Sequence, residues 1–327
     1  MLRKLPALAA ALFITLGMSP ASRAQNYPSR PVILVAPFAA GGPTDVLARI
    51  MAERMGRSLG QTVVVENTTG AAGSIGVGRV ARAPADGYTV GIGHWSTHVV
   101  NGAIYPLQYD LLKDLDPVAM IASNPQLIVS KNAVPARDLK ELSAWVKANQ
   151  DKISVGTAGV GAASHVGGVY FQDIIGAKLQ YIPYRGTGPA LQDLMAGHID
   201  LMLDQASNSL PQVRAGKIRA YAVTAKHRMP SAPEIPTVDE AGVPGLYIAV
   251  WHGLWVPHGV PKAVIDKLNG AAVDALADPA VRQRLLDMGQ EIPPREQQTP
   301  EALGAFHRAE IEKWWPLIKA AGIKGEL

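Results

Sequence analysis

The chain has 327 residues, of which 48% are hydrophobic and 18% are charged, and its formal net charge at pH 7 is +4. This length and composition predict two folded domains and exclude an intrinsically disordered chain. Because the sequence has no cysteine, disulfide scaffolds, thiolate zinc sites, iron–sulfur clusters and cysteine nucleophiles are excluded.

The N-terminus has the pattern of a cleaved export signal rather than that of a retained membrane anchor. Arg3 and Lys4 precede an apolar stretch over residues 5–18, which is too short to span a bilayer comfortably. The small residues Ser22 and Ala24 predict a signal peptide covering the first 24 residues, with cleavage near Ala24. The mature chain then carries 28 basic and 27 acidic residues. Its basic residues are dispersed, which argues against a nucleic-acid partner.

Strand-like and helix-like patterns alternate through the rest of the chain. The β-branched run 32–36 predicts the first buried strand, and apolar residues spaced three and four apart over 46–59 predict the first helix, which Gly60 ends. The further predicted strands are 62–66, 88–92, 127–130, 153–156, 179–182, 199–203 and 218–224. The further predicted helices are 75–83, 138–150, 164–175, 189–196, 209–215, 261–277, 279–288 and 300–321. This alternation predicts an α/β fold in which parallel-type sheets are flanked by helices.

The two predicted domains are joined without a Gly/Ser-rich tether, so we expect the connections to be strands that cross between them. The candidate crossings are residues 123–125 and 248–254. Two crossings would let the domains close on a ligand about a hinge. The predicted division assigns residues 25–124 and 251–327 to domain 1 and residues 125–250 to domain 2.

Two glycine-rich turns each join a predicted strand to a predicted helix. The first is PFAAGGPTD at 37–45 and the second is GTAGVGAASH at 156–165. Backbone N–H groups of such turns approach a ligand closely, and the helix N-terminus behind them favours an anion. Two such turns that face one another suit a molecule with two carboxylate ends. Glycines that serve only tight turns are the alternative interpretation, and neither turn has a phosphate-loop or dinucleotide signature.

The segment GHWSTH at 93–98 follows the third predicted strand. His94 and His98 have the i, i+4 spacing of zinc ligands, but Trp95 replaces the Glu of H-E-x-x-H, so no metal site is predicted. If the segment faces the cleft, Trp95 stacks on an aromatic ligand and His94 donates a hydrogen bond to a carboxylate. In the alternative interpretation, Trp95 packs beneath the turn.

An ordered set of short motifs resembles the substrate-binding receptors of tripartite tricarboxylate transporters, the Bug family. The motifs run through essentially the whole mature chain. They are PFAAGGPTD at 37–45, EN at 66–67, GAAG at 70–73, APADGY at 83–88, YD at 109–110, KD at 113–114, GTAG at 156–159, SH at 164–165, YRGTGPA at 184–190, IPTVDEAG at 235–242 and WHGL at 251–254.

The resemblance implies a type II periplasmic binding protein, with two α/β domains, two crossover strands and a ligand cleft between the domains. It also implies a periplasmic monomer without cofactor that closes on a small carboxylate and delivers it to the permease subunits of the transporter. The ligand would be a di- or tricarboxylate, or an aromatic dicarboxylate of the terephthalate type. A ligand sensor for a membrane kinase uses the same closure and remains an alternative.

The resemblance also implies that backbone amides and ordered waters of the two turns hold the ligand. Within this site we expect Asp45 to cap backbone N–H groups and to shape the first turn. Arg185 either clamps a carboxylate or serves domain closure. The predicted ligand-binding residues, three of which come from the segment at 93–98, are Phe38, Ala39, Gly41, Gly42, Thr44, Asp45, His94, Trp95, Ser96, Thr157, Ala158, Gly161, Ala162, Ala163, Ser164, His165, Arg185, Thr187 and Asp204.

Catalysis is not predicted. Ser164 and His165 are adjacent on a helix and lack the G-x-S-x-G turn that exposes a nucleophilic serine. A secreted α/β hydrolase is therefore the less favoured alternative.

Overall fold

The computed structural model describes residues 27–320, together with Gly322 and Lys324. The predicted export signal lies outside the described residues. None of the helices within the described part is both long and apolar enough to cross a membrane.

The N-terminal part builds a parallel three-stranded unit. Strand β1 (Val32–Ala36) lies between β2 (Val63–Asn67) and β3 (Thr89–His94) and pairs in parallel with both. Helix α1 (Pro43–Leu59) connects β1 to β2, and α2 (Ser74–Ala81) connects β2 to β3. The carboxyl ends of β1 and β3 therefore lie side by side, where ligands of such sheets bind.

The rest of the chain continues the alternation of strands and helices. The further elements are a π-helical turn (Ser96–Val100), α3 (Asn101–Ile104), β4 (Leu115–Lys131), α4 (Leu139–Ala148), β5 (Ser154–Thr157), α5 (Ala163–Ile175), β6 (Gln180–Pro183), α6 (Thr187–Ala196), β7 (Leu201–Gln205), α7 (Ala206–Arg214), β8 (Ile218–Val223), β9 (Ala249–Pro257), α8 (Lys262–Ala277), α9 (Pro279–Asp287) and α10 (Pro300–Ala320).

The strands form one mixed sheet in the order β2-β1-β3-β9-β4-β7-β5-β6, with β8 also paired to β4. Strands β5 and β6 are parallel, as are β5 and β7, whereas β9 is antiparallel to both β3 and β4. The predicted α/β class is thus observed, with antiparallel pairs added where β4 and β9 join the two halves. Antiparallel strands need no helix to connect them, so the alternation of strands and helices in the sequence does not predict these pairs.

Strand β4 is 17 residues long, although its sequence pattern predicts a strand only over 127–130. Its first part pairs with β9 and its last part pairs with β7 and β8. Asn124, Pro125 and Gln126 interrupt its apolar run, which explains why the pattern shows a shorter strand. The predicted domain boundaries fall where β4 and β9 run side by side, and this division stays a prediction.

Apolar side chains pack on both faces of the sheet. On one face of the N-terminal half, Leu34 packs with Leu47 of α1 and Leu268 of α8. On the other face, Val35 belongs to a larger cluster that includes Trp95 and Trp255. Neighbouring residues of β1 thus enter opposite layers, as the alternation of side chains along a strand requires.

Candidate functional site

The two glycine-rich turns meet at a cavity between the carboxyl ends of β1 and β5. The empty space among the atoms that line it is about 350 Å³, part of which is open to solvent. The first wall consists of Phe38, Gly42, Pro43, Thr44 and His94. The second wall consists of Gln126, Ala158, Ala162, Ala163, Ser164, Thr187, Asp204 and Gln205.

Asp45 holds the first turn in shape from the first turn of α1. Its Oδ2 accepts hydrogen bonds from the Gly41 N–H at 2.9 Å and from Arg49 Nε at 3.0 Å. Its Oδ1 accepts from Arg49 and from Asn67, and the same Asn67 amide donates to the Phe38 carbonyl. Burial raises the pKa of Asp45, but the bonds from Arg49, Gly41 and Asn67 outweigh it and hold that pKa below its ordinary value.

The placement of Asp45 gives it a structural role in the first wall. Its carboxylate is 3% exposed and does not line the cavity. Each of its oxygens is used by the protein, so the carboxylate orders the turn while the N-terminus of α1 points at the cavity.

Three helices present their N-termini to this cavity. Thr44 lies in the first turn of α1, Ala163 and Ser164 lie in the first turn of α5, and Thr187 begins α6. Ser164 Oγ accepts a hydrogen bond from the Ala158 N–H at 2.9 Å, which ties the second turn to its helix. None of the lining residues is Lys or Arg. Helix N-termini therefore supply the positive potential of the cavity, and that potential favours an anion.

The two walls touch at the cavity rim. The Ala39 N–H donates to the Arg185 carbonyl at 3.0 Å, and the Tyr105 hydroxyl donates to the Val160 carbonyl at 2.6 Å. Gly188 approaches so closely that a Cβ there would lie 2.8 Å from Gly42 N. The backbone packing of these turns leaves no room for a side chain at position 188.

His94 lines the first wall, as the sequence predicted for the segment after β3. Its ring stacks on Phe38 with 5.0 Å between centroids and meets His252 edge-on at 5.2 Å. Burial, and then the neighbouring His252, lower the pKa of His94 well below its ordinary value. His94 Nδ1 accepts from the Ser96 N–H at 3.1 Å. The neutral ring therefore carries its proton on Nε2, which makes Nε2 a hydrogen-bond donor.

Trp95 requires a correction, because the structure places it in the core and not in the cavity. Its side chain is 1% exposed, and its ring meets Trp314 of α10 edge-on at 4.9 Å. The chain leaves β3 at His94 and enters the π-helical turn, so adjacent side chains point to opposite sides. The hypothesis that Trp95 stacks on a ligand is therefore wrong for this arrangement.

Arg185 also differs from the carboxylate clamp considered from the sequence. Its side chain is exposed, and only its backbone carbonyl contacts the opposite turn. This contact favours the alternative in which position 185 serves closure of the walls.

The other predicted residues lie beside the cavity without lining it. Gly161 N–H donates to His165 Nδ1 at 3.3 Å, and burial lowers the pKa of His165 to about 4. Besides Asp45, Trp95 and Arg185, the predicted residues that do not line the cavity are Ala39, Gly41, Ser96, Thr157, Gly161 and His165.

Sequence reasoning missed two lining residues and one residue behind the wall. Gln126, within β4, faces Gln205, at the end of β7. The lining residue Pro43 begins α1 and lies within the predicted first turn. His252 lies behind Thr44, with 3.4 Å between its Nε2 and Thr44 Oγ1, and burial lowers its pKa to about 3. Gln126 and His252 could have been found in the sequence, because each is a polar residue within a largely apolar strand.

His98, the second histidine of the predicted i, i+4 pair, points away from the cavity. It stacks on Trp255 with 3.7 Å between centroids, and His307 donates to its carbonyl at 2.6 Å. Among residues 27–320, no three His, Asp or Glu side chains converge in a way that could hold a metal ion.

Comparisons with known proteins identify similar chains over nearly the full length. A family model described as "Tripartite tricarboxylate transporter family receptor" matches residues 47–323. A UPF0065 protein of Agrobacterium vitis is 40% identical over 298 residues, which cover 91% of this chain and 86% of that protein.

Solved structures of similar proteins have the same fold. The periplasmic binding protein BugD is 42% identical, with a TM-score of 0.88, over 92% of this chain and 100% of its own. MatC of Rhodopseudomonas palustris, solved with bound malate, is 39% identical, with a TM-score of 0.86, over 89% and 100%. A second R. palustris protein, solved with adipate, is 34% identical, with a TM-score of 0.86, over 91% and 99%.

Proposed function

Because this chain belongs to the family of tripartite tricarboxylate transporter receptors, as its motifs predicted, we propose that it captures a small dicarboxylate between its two glycine-rich turns. The protein closes on the ligand in the periplasm, as a monomer, and delivers it to the permease subunits of a tripartite transporter. It binds and releases the ligand without transforming it.

The observation that carries this proposal is the convergence of three helix N-termini on one cavity without a Lys or Arg side chain in its walls. An anion bound there is held by backbone dipoles from opposite sides. The N-termini of α1 and α5 belong to different walls. A molecule with a carboxylate at each end therefore meets a favourable dipole at both ends.

The relatives support the same ligand class. MatC was solved with malate and the second R. palustris protein with adipate, which are both dicarboxylates. With Trp95 in the core, no indole ring lines the walls to favour a terephthalate-type ligand.

Hinge closure is the proposed mode of capture. Strands β4 and β9 run side by side where the two halves meet, and small backbone rotations there would separate the walls. Ligand binding shifts such an equilibrium by its greater affinity for the closed form. The contacts of Ala39 with Arg185, and of Gly42 with Gly188, are the ones that opening would break.

Thermal unfolding of the refolded protein tests the proposal with a panel of carboxylates and matched neutral amides. We expect the dicarboxylates to raise the unfolding temperature in proportion to the logarithm of ligand concentration once the site saturates. Succinamide and adipamide should leave the temperature unchanged. A panel of di-, tri- and aromatic carboxylates without any effect would contradict the receptor function.

A further inference from the structure

The second wall of the cavity holds polar atoms that no described residue satisfies. Neither Nε2 nor Oε1 of Gln126 has a hydrogen-bond partner within the described part of the chain, and the same is true of Asp204 Oδ1. Both side chains are 0% exposed, and both residues line the cavity. Buried polar atoms are ordinarily paired, so these three atoms point to a partner that comes from the ligand.

Gln126 is fixed in position although its amide is unpartnered. Its backbone N–H donates to Thr224 Oγ1 at 2.9 Å, and its side chain lies on Gly167 of α5. A Cβ at Gly167 would come within 2.3 Å of Gln126 Oε1, so the bare helix backbone makes room for the amide. Since both amide atoms are unpartnered, exchanging the assigned O and N would leave one acceptor and one donor group in the same place.

Asp204 is oriented by one of its two oxygens. Its Oδ2 accepts hydrogen bonds from Asn208 Nδ2 and from Ser209 Oγ, both at 2.6 Å. These bonds fix the carboxyl plane, and Oδ1 has no partner in hydrogen-bond geometry among the described residues. Burial raises the pKa of Asp204 to about 6, against the lowering effect of Ser209, Asn208, Thr187 and the Gln205 N–H, so the group is mainly ionised at neutral pH.

The two walls therefore offer different chemistry. Both walls present helix N–H donors, and His94 Nε2 adds a donor in the first wall, whereas the unpartnered acceptors Gln126 Oε1 and Asp204 Oδ1 lie in the second wall alone. A carboxylate can use only donors. Among the groups of a ligand, only a hydrogen-bond donor can pair directly with the acceptors of the second wall.

We propose that Gln126 and Asp204 select dicarboxylates that carry a hydrogen-bond donor, a hydroxyl or an ammonium group, on the carbons between their two carboxylates. This selection rests on the proposed function, since it concerns the same cavity. An unsubstituted dicarboxylate leaves the two acceptors buried and unpaired, and a site built for a donor discriminates strongly against an analogue that lacks it. An ionised Asp204 also repels a ligand that brings only negative charge.

Calorimetric titration of the refolded full chain at pH 7.5 tests this with two matched series. The first series is succinate, L-malate and L-aspartate, and the second is adipate and L-2-aminoadipate. Within the series that binds, the donor-bearing members should bind at least tenfold more tightly than the unsubstituted member. Equal affinity within that series would overturn the selection while leaving the receptor function in place. If no member of either series binds, the receptor function fails and the selection fails with it.

Variants of the two acceptors complete the test. Gln126→Met should reduce the preference for the donor-bearing ligand over the unsubstituted one to less than threefold, through weaker binding of the donor-bearing ligand. The matched control is Gln298→Met, which removes a buried amide that already donates to the Pro293 carbonyl outside the cavity. It should leave the preference unchanged. A preference that survives Gln126→Met in folded protein would contradict the role of Gln126.

Asp204→Asn distinguishes the two kinds of donor. A larger loss for L-aspartate than for L-malate assigns the ammonium group to Asp204, because that contact joins opposite charges. An equal loss of affinity for both ligands would mean that Asp204 accepts a hydrogen bond from a hydroxyl or an ammonium group alike. Unchanged affinity for both would remove Asp204 from the proposal.

Discussion

Each wall of the cavity has one buried carboxyl group, and the pKa values of the two groups are shifted in opposite directions. In the first wall, Asp45 has hydrogen-bond donors at both oxygens and its pKa is held low. In the second wall, Asp204 has one oxygen without a partner among the described residues and its pKa is raised. The contrast supports the proposal that the protein itself completes the first wall, while the ligand completes the second.

The same contrast separates affinity from selectivity. A turn that is fully organised before binding holds an anion without further ordering, which favours tight binding of any suitable carboxylate. A wall with unpaired acceptors penalises ligands that lack donors. Variants that act on one wall should therefore change one property and spare the other.

The largest effect is expected behind the first wall, at Trp95. Trp95→Ala should lower the free energy of unfolding by about 3–5 kcal/mol, because it opens a cavity beneath the turn. In protein that stays folded, the ratio of affinities for malate and succinate should be unchanged. Chemical denaturation with calorimetry on the folded fraction measures both. A changed ratio would place Trp95 at the ligand, and the exposed Leu286 changed to Ala serves as the control.

Removal of the Asp45 carboxylate should disorganise the first wall. Asp45→Ala leaves the Gly41 N–H and the Asn67 amide without their acceptor, so stability should fall by about 2–3 kcal/mol. Affinity for every dicarboxylate should fall by a similar factor. Asp266→Ala is the control, because its exposed pair with Lys262 contributes about 0–1 kcal/mol. Selective loss of one ligand would show that Asp45 reads the ligand directly.

The pH dependence of stability should have opposite signs for the two acidic groups. The Asp45 pKa is lowered in the folded state, so its stabilisation is complete above its unfolded pKa of about 3.9 and is lost as pH falls below it. The Asp204 pKa is raised to about 6, so its destabilisation grows as pH rises from about 4 to about 6, reaching roughly 2–3 kcal/mol.

Urea unfolding of ligand-free protein between pH 3 and 8 measures this difference. Relative to the wild type, Asp204→Asn should gain stability as pH rises through the range from 4 to 6. Parallel curves for the two proteins would contradict the assignment of a raised pKa to Asp204.

The smallest effect concerns closure of the two walls upon each other. Gly188→Ala adds a methyl group 2.8 Å from Gly42 N, so the closed form is strained while an open form is not. Ligand affinity should fall about tenfold, equivalent to about 1.4 kcal/mol, without loss of ligand-free stability. Gly270→Ala in α8 is the control, since nothing lies within 4 Å of its added Cβ. Equal affinities for the two variants would mean that the walls do not close at Gly188.

Periodicity and turn composition predicted most of the elements but not the strands that join the two halves. Strand β1 was predicted at its observed bounds, because a short β-branched run that lies between a Pro and a Pro-Phe turn is typical of a buried strand. Strand β9 was noted only as a crossing, since His252 and Gly253 interrupt its apolar pattern. Both residues pair with β3, which is distant in sequence and which no local rule identifies as the partner.

The candidate site was predictable as far as it depends on backbone. Glycine-rich turns before helices indicate anion sites through local geometry, which is how Gly42, Thr44 and Ser164 were found. Whether Trp95 points into the cavity or into the core depends on the π-helical turn that follows it, and the sequence pattern does not predict that turn. Gln126 depends on the partner strand and on the missing side chain at Gly167, which are properties of tertiary packing.

A crystal structure of the protein with bound L-malate tests the central claim most directly. We predict one carboxylate at the N–H groups that begin α1, the other at those that begin α5, and the hydroxyl within hydrogen-bond distance of Gln126 or Asp204. A ligand bound elsewhere, or held in this cavity by Lys or Arg side chains, would contradict the account.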